Sequence, residues 1–187
     1  PIEGDYLEFR LRRYLTFAEF KSELAPHFGL GLEGYATWTS PIRKYSDMVN
    51  HRLIKAVLTQ QACEKPQDEV LARLQEARRQ NRLVERDIAD WLYCRYLANK
   101  VAENAEFDAE VQDVMRGGLR VQLLENGASM FVPASTLHPN KDEMQVNADE
   151  LALYIQGERR YKIGDLVKVK LTEVREETRS IIGQLII

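Results

Sequence analysis

Long apolar runs are missing from this 187-residue chain, and so is a basic-then-apolar start. The first absence argues against a transmembrane helix and the second against a signal peptide. Cysteine is scarce: Cys63 and Cys94 are the only two, without metal-type spacing. They read as free thiols of a cytoplasmic protein. The three histidines, His27, His51 and His138, stand far apart, which argues against a metal site built from them alone. An excess of positive charge is also absent, with 26 Lys+Arg against 29 Asp+Glu. Residues 1–102 hold 16 basic and 14 acidic residues, a net of +2, and residues 103–187 hold 10 and 15, a net of −5. Binding of a polyanion by the second half would therefore need a local basic patch. What is present is an ordinary apolar fraction of 44%, enough for one large or two small packed domains.

The most informative stretch is Ser40-Pro41-Ile42-Arg43-Lys44-Tyr45, followed by Asp47 and His51-Arg52. Ser40 suits an N-cap and Pro41 the first helical position, where its missing N–H has no intrahelical partner. A helix over 41–60 is predicted, with Ile42, Tyr45, Val49, Leu53 and Val57 as its apolar stripe. Arg43 would then sit beside free backbone N–H groups. A cation there costs the helix a few tenths to ~1 kcal/mol, so a bound anion explains Arg43 better, and helix N-terminus plus arginine makes a phosphate site. The competing reading is an exposed i, i+4 salt bridge between Arg43 and Asp47, worth little. Upstream, Gly29, Gly31 and Gly34 lack the Lys and Ser/Thr of a phosphate loop and read as turns. Asp5–Arg12 alternates unevenly, Phe17–Phe20 fits a strand or a short helical turn, and the fold of residues 1–40 stays open.

A second, long helix is predicted from Asp68 to about Asn104, with Leu71, Leu74, Ile88, Leu92 and Tyr96 as its apolar stripe. That stripe passes through Asn81 and Glu85. A carboxylate on an apolar stripe is costly without a partner, which singles out Glu85, either as a functional group or as half of a buried ion pair with Arg78, Arg82 or Arg86. Trp91, Tyr93 and Tyr96 read as core or domain contacts.

Near residue 105 the period changes from helical to two. Phe107–Val111, Leu119–Leu123, Met130–Val132, Val167–Leu171 and Arg179–Ile187 are predicted strands, with Gly117-Gly118 and Asn126-Gly127 as turns. Five short strands in this length suit a small Greek-key barrel, an OB fold. The predicted class is α+β: a mostly helical part over 1–104, then a five-stranded barrel over 105–187.

Tyr35-Ala36-Thr37-Trp38-Thr39-Ser40-Pro41-Ile42-Arg43-Lys44-Tyr45-Ser46-Asp47, continuing to His51-Arg52, resembles the C-terminal signature of the catalytic domain of the bacterial ribonuclease II (RNB) family. That signature usually has His where this chain has Thr37, Phe for Trp38 and Arg for Lys44. Pro26–Glu33 fits the bacterial branch. Phe107-x-Ala109-x-Val111, Gly118-x-x-Val121-x-Leu123, Phe131-Val132-Pro133-x-Ser135 and Gly164-Asp165-x-Val167-Lys168-Val169-Lys170 resemble the RNA-binding OB domain of the ribosomal protein S-one type.

The resemblance implies a 3′→5′ exoribonuclease that processively hydrolyses single-stranded RNA to nucleoside 5′-monophosphates. Arg43 would grip the scissile or a neighbouring phosphate, with Ser40 and Tyr45 in the same RNA site, and Glu85 would orient Arg43 or a water. The reaction uses Mg2+, held by an aspartate cluster that the resemblance places upstream of Pro1, so the chain alone is expected to bind RNA weakly and cleave nothing. OB domains stack bases on rings and track phosphates with cations. Two usual ring positions fall on Gly117 and Arg120, and a usual histidine on Pro133, so the platform is thin. Phe131 is the remaining ring, unless it is core. Arg116, Arg120, Lys168, Lys170, Arg175 and Arg179 are the expected cations, the alternative for each being a solvated strand face; a guanidinium can stack as well as pair. A cytoplasmic monomer without membrane contact is expected. The rival readings are a non-catalytic RNA-binding adaptor with an OB domain, and a protein-interaction module contacting a basic partner through its acidic half.

Overall fold

The computed structural model describes Leu15 and residues 17–186; the uneven alternation of Asp5–Arg12 lies outside them. The chain divides into two compact units, Thr16–Val84 and a second that runs from Glu85 onward and includes Leu15.

In the first unit, residues 17–20 form neither strand nor helix. Phe28–Leu30 make one 3-10 turn, closed by a bridge between His27 and Leu32 and by Gly31 in the left-handed region at φ 62°. Helix α1 spans Tyr45–Leu58 and starts later than predicted. Residues 41–43 are instead a turn, and Lys44 is extended at φ −123°, ψ 111°, without a side-chain cap. Helix α2 spans Asp68–Ala98, with Asp68 and Glu69 in its first turn, where acids favour the dipole. Turns from Lys100 to Asn104 replace its predicted last stretch.

The second unit is built on a closed barrel in the order β1-β2-β3-β8-β7. Its strands are β1 (Glu106–Met115), β2 (Gly118–Leu123), β3 (Ser129–Pro133), β7 (Leu166–Arg175) and β8 (Ser180–Leu185). These are the five predicted strands. Period-two alternation turns Ala109, Val111, Leu119, Val121, Leu123, Met130, Val132 and Val169 inward, all fully buried. Cys94 and Leu97 of α2 are also fully buried and belong to the same core, so the end of the helix plugs the barrel. The buried face of α2 here is Tyr93, Cys94 and Leu97, while the predicted stripe residues Ile88, Leu92 and Tyr96 are exposed. Tyr93 is half-buried and its hydroxyl donates to the Asn126 carbonyl at 3.0 Å, tying α2 to the β2–β3 turn.

Between β3 and β7 the chain inserts a short helix α3 (Ala134–Leu137) and a three-stranded sheet of β4 (Met144–Asn147), β5 (Ala152–Ile155) and β6 (Glu158–Lys162). The sequence reading had no strands there. A two-residue turn joins β5 to β6, with Gln156 at φ 55° and Gly157 at φ 79°, the paired positive φ of a tight hairpin.

Candidate nucleic-acid interface

The first cluster is organised by Asp47, which the competing reading makes an exposed salt-bridge partner of Arg43. Asp47 is fully buried. Its Oδ1 accepts from the Thr37 hydroxyl at 2.5 Å and the Ser46 hydroxyl at 3.3 Å, and its Oδ2 accepts from the Ser40 N–H at 2.9 Å. Lys44 Nζ is 4.0 Å away. The Thr37 hydroxyl does most to hold the Asp47 pKa below the usual aspartate range, helped by the Ser40 N–H, the Lys44 charge and Ser46, and opposed by burial. One turn further along the same helix face, the Asn50 amide donates to the Thr37 carbonyl at 2.7 Å, and His51 Nε2 lies 2.7 Å from the Trp38 carbonyl. The face Asp47-Asn50-His51 therefore clamps residues 37–40.

Ser40 does not cap a helix with its side chain. Its carbonyl accepts from the Arg43 N–H at 3.3 Å and the Lys44 N–H at 2.9 Å, closing the 41–43 turn. The Arg43 N–H is thus bonded, which corrects the expected row of free N–H groups in a first helical turn. The Arg43–Asp47 salt bridge is also absent, because Asp47 is turned inward toward loop donors. Arg43 is exposed and has no ion-pair partner among the described residues, and Tyr45, at the start of α1, is exposed as well. Asp47 was legible only as a member of the signature, and Thr37 only as a departure from it; the hydroxyl residues at 37, 39 and 40 before an acid at the helix start were the available signal.

Glu85 belongs to the second unit. Residues 79–88 of α2 are exposed throughout, so Glu85 lies on no buried stripe, and none of the ion pairs among the described residues involves it. The desolvation argument for it fails for that reason.

On the barrel, Phe131 is not core. Met130 and Val132 point inward, which places Phe131 on the outer face, half-buried. It sits directly opposite Arg120 of β2, and the same row continues to Asp113 of β1 and Ile182 of β8. A Cβ at Gly117 would lie 3.7 Å from Phe131 Cζ, so the ring reaches over the two-residue turn Arg116-Gly117. Arg116 and Arg120 are exposed, and neither has an ion-pair partner among the described residues. Ring and guanidinium face outward as a cross-strand pair, about 5 Å apart at Cβ.

The other expected cations lie elsewhere. Lys168 and Lys170 share the outer face of β7, opposite Asp108 and Glu106 of β1, and Lys168 Nζ is 3.9 Å from Asp108 Oδ1. Arg175 forks onto Glu173, with Nε at 2.6 Å and Nη2 at 2.9 Å from the carboxylate oxygens. Arg179, at φ 52° in the β7–β8 turn, pairs with Asp87 of α2 at 2.8 Å. Among the described residues, no three His, Cys, Asp or Glu side chains come together to hold a metal ion, and no helix is long and apolar enough to cross a membrane. The described residues do not fit a Mg2+ site.

Residues 2–60 match the RNB domain, and residues 100–185 match the S1 RNA binding domain. The whole chain is 86% identical over 186 residues to Exoribonuclease 2 of Haemophilus influenzae. Along its whole length the chain is thus similar to the C-terminal part of an exoribonuclease of the RNB type. Exoribonuclease 2 of Mannheimia succiniciproducens is 83% identical over 186 residues, again covering all of this chain. In both cases the chain spans 28% of the relative's length, corresponding to its C-terminal part. The apo form of Mycoplasma genitalium RNase R has the same fold, with a TM-score of 0.75 at 24% identity over 94% of this chain and 28% of its own. Similarity to Exoribonuclease 2 along the whole chain, together with the RNB match, does not favour the adaptor reading.

Proposed function

We propose that this chain is the RNA-gripping C-terminal part of a 3′→5′ exoribonuclease that processively hydrolyses single-stranded RNA to nucleoside 5′-monophosphates. The observation that carries the reading is identity of 86% to Exoribonuclease 2 across the full length of the chain. Residues 1–104 are the end of the catalytic domain and 105–187 its RNA-binding OB domain, a division supported by the two domain matches. Arg43 pairs with the scissile or adjacent phosphate. A placed cation of this kind stabilises charge developing in the transition state and contributes ~10²–10³ in rate. The exposure of Arg43 and its lack of a protein counter-ion among the described residues support that role. Glu85 contributes an exposed carboxylate for orienting water.

On the barrel, Phe131 offers a face for a base, while Arg116 and Arg120 supply phosphate contacts and a guanidinium plane for stacking. Lys168, Lys170, Arg175 and Arg179 contribute less, since acidic neighbours already sit beside them. Mg2+ would activate water and stabilise the leaving oxygen, held by parts of the parent protein outside this chain. A monomer acting in the cytoplasm completes the reading.

The test is decay of a single-stranded RNA oligomer in Mg2+ by the full-length protein, wild type against Arg43→Ala, with RNA affinity measured alongside. A rate loss of ~10²–10³ with affinity retained is expected. Equal loss of both would reduce Arg43 to a substrate grip. Cleavage by the 187-residue chain alone would overturn the assignment of the metal site to the rest of the parent.

A further inference from the structure

We propose that Asp47 is a positioning residue for Arg43, acting through the backbone of Ser40. The inference rests on the reading of Arg43 as the phosphate contact. Both residues are bonded to Ser40: the Asp47 carboxylate takes its N–H at 2.9 Å, and its carbonyl takes the Arg43 N–H at 3.3 Å and the Lys44 N–H at 2.9 Å. The other carboxylate oxygen holds the Thr37 hydroxyl, three residues upstream, and the Ser46 hydroxyl. Two oxygens thus fix three separate points of the chain, and the turn carrying Arg43 hangs from the middle one.

A fully buried carboxylate is a costly way to fill space. An acid in the first turn of α1 would favour the helix dipole equally well in solvent. What burial adds is geometry, because a carboxylate accepting from fixed N–H and O–H donors sets the register of the loop. The indirect connection matters too. A direct Arg43–Asp47 bridge would neutralise the guanidinium, whereas here Lys44 Nζ, at 4.0 Å, is the cation beside Asp47. Arg43 is held by its main chain and keeps its charge for an anion.

A double-mutant cycle in the full-length protein tests this: wild type, Asp47→Asn, Arg43→Ala and the double variant, with kcat, RNA affinity and folded helix content measured for each. Asp47→Asn turns an amide N–H2 toward loop donors and is expected to lower kcat at least ~10-fold while RNA affinity changes less than ~3-fold. In the Arg43→Ala background the same substitution should cost less than ~2-fold, because the group it positions is gone. An equal loss in both backgrounds, or an unchanged kcat, overturns the positioning role while leaving the reading of Arg43 intact. A wild-type rate for Arg43→Ala overturns that reading and the proposal with it. Should Asp47→Asn fail to fold, Thr37→Val removes one donor only. It is then expected to lower kcat non-additively with Arg43→Ala, with Thr37→Ser recovering the rate, and additive behaviour there overturns the proposal equally.

Discussion

At the scale of single residues, the controlling feature is where charge is buried and where it is left open. Asp47 is buried and compensated; Arg43, three residues beyond the loop's last clamp at Ser40, is exposed. The compensation makes a pH prediction. The folded pKa of Asp47 is depressed, so its contribution to stability is fully present above the ordinary aspartate value of about 3.9. It is lost as pH falls through the lower folded value. The stability gap between wild type and Asp47→Asn should therefore stay constant from neutral pH to about 5 and narrow below about 4. Urea unfolding followed by Trp38 fluorescence in a Trp91→Phe background measures it. A gap unchanged to pH 3 would show that shape, and not the ionised carboxylate, holds the loop.

At the scale of elements, the barrel depends on close backbone approach at Gly118 and Gly183. Gly118 opens β2 at φ 142°, and a Cβ there would lie 2.0 Å from the Val132 carbonyl oxygen and 2.9 Å from the Ala134 nitrogen. Those atoms are backbone, so only separation of β2 from β3 relieves the clash. Gly118→Ala should cost about 3 kcal/mol or more. Gly157→Ala, with positive φ but nothing near its Cβ, should cost about 1 kcal/mol. Thermal unfolding of both variants checks the contrast, and equal losses would remove the steric account. The same elements show what was legible beforehand. Five barrel strands were readable because apolar residues alternate over most of β1, β2, β3 and β7, and glycines mark the β1–β2 and β2–β3 turns. The β4–β6 sheet was not, since its strands are only four or five residues long and alternate poorly. On α2, Ile88-Leu92-Tyr96 and Tyr93-Leu97 are neighbouring apolar stripes, and only the barrel decides which is buried. The same holds at the site. Phe131 could be placed outward only once Met130 and Val132 were seen inside, and the burial of Asp47 depends on residues 37–40 folding back over α1.

At the scale of the whole molecule, net charge is a poor guide to how it would hold RNA. The half with the barrel is the more acidic one, at −5 over residues 103–187, so attraction must be local. The cations divide by their neighbours. Arg116 and Arg120 flank the Phe131 ring without an ion-pair partner among the described residues, with one acid, Asp113 of β1, opposite Arg120. Both Lys168 and Lys170, by contrast, stand opposite acids, Asp108 and Glu106, and Lys168 Nζ is 3.9 Å from Asp108 Oδ1. A cation already beside a carboxylate releases fewer counterions on meeting a phosphate. Each phosphate contact to a single strand contributes about 0.7 to the slope of log affinity against log salt. Replacing Arg116 and Arg120 together by Ala should lower that slope by about 1.4 and weaken binding. Replacing Lys168 and Lys170 together should move it by well under half as much, about 0.5 at most. Titration of a single-stranded RNA oligomer across a salt series, with the full-length protein and both double variants, reads the two slopes directly. The reverse ranking would put the RNA path along β1–β7, and the Phe131 ring would then be a surface aromatic without a base to stack.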